Sequence, residues 1–288
     1  MFEPVRRFNI KEKIHAIFKR RPFIFGIVSF LVISITSSLV VSSIASLLVR
    51  FYDVQVYNIT PWNSAMRILA SLLGIWVLGV VLKTNGLKFT FSPKGFAKGM
   101  LVLLPLIIMA FAMPFVFVDE IGIYSDVVSY FPSIIMHHFA VGLHEEVLYR
   151  GVLMTAVLIS FSPTWDKKAK RIIYMIIFAA IFGLVHVHHG WVGILLSFSA
   201  GFLFCAAYTY TKNLLACVVV HWMVNTLPNI IVGLLSGNFD SLQRFFTPQP
   251  LDLAVFIVFW IIQIITAVIL TIKAKPFVPV SEIVVQNS

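Results

Sequence analysis

Residues 251–272 read LDLAVFIVFWIIQIITAVILTI, with a single charged side chain, Asp252. Wound as an α-helix, a run of this length reaches about 33 Å, enough to cross the ~30 Å hydrocarbon layer of a bilayer. Seven further apolar runs lie near 22–49, 64–82, 99–118, 131–160, 171–189, 192–211 and 213–235. The expected fold is therefore all-α: a polytopic transmembrane helix bundle of about eight spanning helices.

Composition points the same way. Of the 288 residues, 59% are hydrophobic and 12% charged, and the mean hydropathy is +0.95. A soluble domain usually carries about a quarter charged residues. The expected organisation is a basic segment at 1–21, a transmembrane helical domain at 22–272 and a tail at 273–288. No separate soluble domain and no internal repeat stand out. The first apolar run exceeds the ~7–15 residue core of a secretory signal, so it reads as a retained signal-anchor helix.

The net charge of +10 would raise nucleic-acid binding in a soluble protein. Here the basic residues cluster in the short segments between apolar runs, which is the pattern of membrane orientation, and nucleic acid is rejected as a partner. With the N-terminus inside, eighteen of the 22 Lys and Arg fall on the cytoplasmic side, while Asp53, Asp119, Glu120, Asp126, Asp240 and Asp252 fall outside. Both termini are then cytoplasmic. Arg67 lies one turn into the second run, where it can snorkel to the outer headgroups. Asn58-Ile59-Thr60 matches a glycosylation acceptor only as a short, accidental motif. Cys205 and Cys217 sit inside apolar runs and read as small buried side chains.

Ionisable residues at membrane depth are costly, so each needs a reason. The fourth run carries Glu145, Glu146 and Arg150. Glu146 and Arg150 are four apart in the favourable acid-first order and can neutralise each other. Glu145 is turned from Arg150 by about 140° and is the carboxylate left for chemistry. The fifth run carries Phe182 and His186, and the seventh His221 and Asn225, each pair four apart on one face. Singly, these clusters could be charge networks or interhelical polar glue. Jointly, a carboxylate and an imidazole can activate a water, while a second imidazole and an amide can donate to a developing oxyanion. His137, His138 and His144 could shape a cavity. His188 and His189 read as ordinary interfacial polarity.

Glu145-Glu146-Val147-Leu148-Tyr149-Arg150, Phe182-Gly183-Leu184-Val185-His186 and His221-Trp222-Met223-Val224-Asn225 resemble the three ordered motifs of the CPBP family. That family joins CAAX prenyl endopeptidases with bacterial proteins related to bacteriocin immunity. The motifs span 145–225; the first three runs and the last match only as generic spans. The resemblance implies an intramembrane endopeptidase in which Glu145 and His186 activate water, His221 and Asn225 form the oxyanion hole, and Glu146, Arg150 and Phe182 support the site. Family members are often named metalloproteases, so Glu145, His186 and His221 are also candidate zinc ligands. His-Glu-x-x-His is absent, because position 148 is Leu148. A glutamate-activated water with no obligatory metal is the expectation, with zinc as the alternative.

The expected partners are membrane lipids and a peptide or protein substrate, in bacteriocin self-immunity or membrane peptide processing. Short loops and a lack of added domains suggest a bacterial plasma membrane. The competing classes are a non-catalytic binding or immunity protein of the same fold and a small transporter. The transporter lacks repeat symmetry and paired broken helices.

Overall fold

The structure is a computed structural model that describes residues 22–52, 60–84, 93–118, 122–160, 168–237 and 250–275. Among them there is no strand. In chain order the helices are α1 Pro22–Tyr52, α2 Thr60–Thr84, α3 Pro93–Val102, α4 Leu104–Phe117, α5 Phe131–Glu145, a π-helical segment Glu146–Met154, α6 Thr155–Ser160, α7 Lys168–Leu184, α8 Gly190–Thr211, α9 Leu214–Ser236 and α10 Pro250–Lys273. Segment 1–21, the tail beyond residue 275 and Asp53, Asp119, Glu120 and Asp240 lie outside the described residues, as does most of the glycosylation match.

Proline punctuates this order. Pro22, Pro93 and Pro250 open their helices, and Pro61, Pro105 and Pro132 sit one position further in. The first turn of a helix lacks acceptors for its N–H groups, so a residue without one costs nothing there. α9 is started instead by Asn213, whose side-chain oxygen accepts from Ala216 N at 3.0 Å.

Among the described residues, five segments are long and apolar enough to cross a membrane: Phe23–Val40, Pro61–Val80, Val187–Thr211, Leu214–Ser236 and Asp252–Lys273. α3 and α4 make a sixth if their bent pair counts as one. Two expected runs are interrupted. The third does not run straight through 99–118: α3 and α4 meet at Leu103 with a bend of 49°. Pro105 has no N–H to return to the carbonyl four residues earlier, so the helix breaks one turn before it. The fourth run is the longest and by its length could be tilted or broken near Gly142. It instead stays α-helical to Glu145 and changes there into the π segment. Gly142 serves a different end, since a Cβ there would stand 3.1 Å from Trp222 N on α9. The fifth run was expected to reach residue 189, but its α-helix ends at Leu184.

The packing order sets the site. α5 and the π segment are clasped by α2 on one side and α9 on the other, while α8 lies between α7 and α10 and reaches the π segment. The centre and the rim differ in burial: 56% of the span that contains α8 is buried, against 17% of that in α1. α8 is accordingly apolar on all sides, and Phe202, Leu203, Phe204, Cys205, Ala206, Ala207 and Tyr208 are all buried. Cys205 and Cys217 are free and buried, as their sequence context implies. On α1 and α10, Leu31, Val32, Ile35, Leu39, Val258, Ile261 and Ile265 are exposed, which suits a lipid-facing rim.

Candidate active site

The π segment is where the polar residues gather. A π turn shifts carbonyl bonding from the fourth to the fifth residue and leaves gaps that side chains fill. Thr155 fills one: its hydroxyl donates to the Arg150 carbonyl at 3.1 Å and shares a 2.7 Å hydrogen bond with Tyr208 Oη on α8. Glu146, Arg150 and Thr155 are all buried here.

Glu146 and Arg150 pair as their spacing predicts, with Arg150 Nη1 donating to Glu146 Oε1 at 2.9 Å. α8 completes the guanidinium's surroundings. Arg150 Nη2 donates to the Gly201 carbonyl at 3.4 Å. The Phe182 ring lies 4.2 Å from the guanidinium carbon on one side, and Phe204 lies 5.3 Å away. Gly201 is required for this approach, because a Cβ there would stand 2.9 Å from Phe182 Cδ1. Phe182 thus supports Arg150 and, at a 4.8 Å ring separation, His186 as well.

Glu145 turns away from that pair toward the two imidazoles. Its Oε2 lies 3.9 Å from His186 Nε2 and 3.8 Å from His221 Nε2. Each imidazole is anchored through its other nitrogen. His186 Nδ1 bonds the Phe182 carbonyl at 2.8 Å, and His221 Nδ1 bonds Glu146 Oε1 at 2.8 Å. The His221 ring is stacked on Phe204, with centroids 5.3 Å apart and planes at 20°. Glu146 is therefore more than a partner for Arg150: it also orients a motif histidine 75 residues away.

These groups face a cavity of about 640 Å³. Glu145, Phe182, His186, His221 and Asn225 all line it, so residues from three sequence-distant motifs share one space. Among the described residues, no protein group holds the Asn225 carboxamide. His137 and His138 also line the cavity, whereas His144 is buried outside it.

Three residues read from the sequence as interfacial also line the cavity. His188 and His189 line the same cavity, because the chain turns through a short 3-10 segment after His186 and brings them back, with rings 3.9 Å apart. Arg67 lines it too, from α2. Phe204 and Gly201 were not singled out in the sequence at all. Glycine and aromatic residues are common in membrane helices, and only contact with Arg150 and His221 distinguishes these two.

Two imidazoles and a carboxylate are the donor types of a His/His/Glu zinc site. Among the described residues, however, no three His, Cys, Asp or Glu side chains are disposed to hold one ion. The arrangement can polarise a water between Glu145 and an imidazole and can offer the Asn225 amide to a carbonyl oxygen.

Residues 127–227 match the family model described as Rce1-like, the type II CAAX prenyl endopeptidases. The matched segment holds every motif residue, from Glu145 to Asn225, and excludes α1 to α4 and α10. No curated protein and no solved structure gives a significant match.

Proposed function

We propose, for a chain whose central segment, residues 127–227, belongs to the Rce1-like family of type II CAAX prenyl endopeptidases, that it hydrolyses a peptide bond inside the membrane with a water activated by Glu145 and His186. The observation that carries this reading is the placement of Glu145 Oε2 within 4 Å of two imidazole Nε2 atoms on the wall of a 640 Å³ cavity. Glu145 is the fifteenth of the thirty residues from 131 to 160, so the chemistry would take place near mid-depth. Asn225 would hold the carbonyl oxygen as charge develops on it. Glu146, Arg150 and Phe182 would keep the base and the imidazoles in place. His221 faces the same space as the second imidazole of the set.

Water and side chains suffice for this chemistry, and zinc is the alternative to be tested. The substrate would be an apolar or lipid-modified peptide or protein segment that enters the cavity from the bilayer. A role in bacteriocin self-immunity or in membrane peptide processing accords with the motif resemblance. The topology proposed is eight spans in a bacterial plasma membrane, with the 131–160 helix and α7 joining the six above and both termini cytoplasmic.

The test is cleavage of quenched fluorescent peptides by the purified chain in proteoliposomes. One probe carries a farnesylated cysteine near its C-terminus, and one is an unlipidated apolar peptide. Cleavage by the wild type and none by Glu145→Gln or His186→Ala supports the reading. If neither probe is cut, while Glu145→Ala and His186→Ala protect cells as the wild type does, the chain is a binder or immunity protein instead.

A further inference from the structure

The two ends of the bundle differ in charge. At one end Lys98 stands 3.9 Å over the Tyr210 ring, Lys212 donates to the Lys275 carbonyl at 2.9 Å, and Arg171 donates to the Ala274 carbonyl. These contacts gather α3 and the start of α7 around the ends of α8 and α10. Lys168 and Lys273 occupy the same helix ends, and none of the described residues there is acidic. At the opposite end Gly122 N and Tyr124 N donate to the Leu235 and Leu234 carbonyls at 2.9 and 3.0 Å, which ties the segment before α5 to the end of α9. Asp126 and Asp252 lie at this second end, in that segment and in the first turn of α10. Basic segments are retained in the cytoplasm, so the first end is cytoplasmic and the second faces out.

The cavity belongs to the outward half. Its wall takes His137 and His138 from early α5, His188 and His189 from the turn between α7 and α8, and Asn229 from late α9. No lysine lines it. Its inward limit is set by Glu145, Phe204 and His221. One turn further toward the basic end, Tyr208 and Cys217 are buried, as is Arg150. The bonds from Arg150 to the Gly201 carbonyl and from Thr155 to Tyr208 close the seam between the π segment and α8 on this side. Among the described residues, the basic end therefore offers a substrate no route to Glu145.

The cavity wall carries one Lys or Arg among the described residues, Arg67 of α2. No described carboxylate forms an ion pair with it. Its height follows from Gly74, where a Cβ would stand 2.7 Å from Val147 Cγ1, so Gly74 is level with Val147. Arg67 precedes Gly74 by seven residues on a helix running inward, which sets it about 10 Å further out. Glu145 is two residues outward of Val147, about 3 Å. The levels of Arg67 and Glu145 then differ by roughly 7 Å, the reach of about two extended residues. A guanidinium facing a cavity at membrane depth is costly unless an anion meets it, and a carboxylate fits its fork of donors.

We propose that the site takes its substrate from the non-cytoplasmic face, as a peptide segment with a carboxylate about two residues from the scissile bond, and that Arg67 binds this carboxylate. The proposal rests on the hydrolytic reading above and names the substrate class of that site. Side-chain and C-terminal carboxylates present the same chemistry to Arg67. Arg67 is a specificity-determining residue: it holds the segment in register while Glu145 acts on the bond.

The experiment uses spheroplasts and inverted membrane vesicles from bacterial cells producing the full-length chain, with cells producing Glu145→Gln as background. Three quenched fluorescent peptides share one apolar sequence and a hydrophilic polymer that keeps them from crossing the membrane. One has Glu two residues from the scissile bond and an amidated C-terminus. The second has Gln there and is amidated. The third has Gln there and, two residues from the scissile bond, a free C-terminus. A carboxylate peptide should be cut in spheroplasts, and in inverted vesicles only after detergent admits it. Arg67→Gln should raise KM about 10–100-fold for the carboxylate peptide that the wild type prefers and leave the neutral one unchanged. The ratio between peptides within one preparation does not depend on how much of it is folded. Cleavage in inverted vesicles before detergent would overturn the outward access. A wild type without preference for either carboxylate peptide, or an Arg67→Gln effect equal on all three, would overturn the role of Arg67. In both cases Glu145 remains the base. Equal rates for the wild type and Glu145→Gln in detergent would instead overturn the hydrolytic reading, and the proposal with it.

Discussion

Glu146 Oε1 lies 2.8 Å from His221 Nδ1 and accepts from Arg150 as well, so a single buried carboxylate oxygen ties α9 to the π segment. The adjacent Glu145 shares neither bond and faces the cavity. The two glutamates are neighbours in sequence with separate tasks.

That separation gives the first prediction. Glu145→Gln keeps the shape and removes the base, so peptide cleavage should be lost with little change in thermal unfolding. Glu146→Gln leaves Arg150 as a buried charge without its counter-ion, and breaking such a pair costs about 3–5 kcal/mol. Unfolding in detergent, followed by intrinsic fluorescence, should show the second variant alone to be destabilised. Equal destabilisation of both would contradict this division of roles.

Asn225 should be less critical than the base. Asn225→Ala removes one donor to the oxyanion and leaves the water-activating pair, so kcat should fall by about 10²–10³ with KM little changed. A loss as complete as that of Glu145→Gln would mean that the amide does more than donate one hydrogen bond.

Gly201 carries no reacting group, yet the site depends on its small size. A Cβ there would meet the Phe182 ring at 2.9 Å and push it from Arg150 and His186. Gly201→Ala should cost about 1–3 kcal/mol, the usual penalty for overpacking, and should slow cleavage at a site otherwise intact. Unchanged activity and unfolding would show that Phe182 can shift without consequence.

Metal dependence is read in the same assay. Treatment with 1,10-phenanthroline or EDTA should leave the cleavage rate unchanged. Loss of activity that returns on adding zinc would place an ion between Glu145, His186 and His221 and replace the carboxylate-activated water.

Topology can be checked separately. Reporter fusions at Lys94, Lys168 and Ser288 should read cytoplasmic and one at Asp240 external. An external signal at Lys168 would invert the helices that carry Glu145 and His186 and refute the eight-span arrangement.

The sequence by itself marked the apolar runs, of which five or six stand among the described residues as helices able to cross a membrane, and it paired Glu146 rather than Glu145 with Arg150. Both are local properties: run length follows from the rise per residue, and the Glu146–Arg150 pair from the four-residue repeat of one helix face. It also displayed the three motifs, which are contiguous strings. The tertiary structure decided the contacts between helices. Only packing brings the Gly201 carbonyl to Arg150, lays Phe204 against His221, joins His221 to Glu146 and folds His188 and His189 back into the cavity. The π segment at Glu146 belongs with these, because its freed carbonyl is met by Thr155, which bonds in turn to Tyr208 on another helix. In a chain that is apolar nearly throughout, periodicity marks where helices run. Which faces meet is settled by small residues and buried hydrogen bonds between positions far apart in sequence.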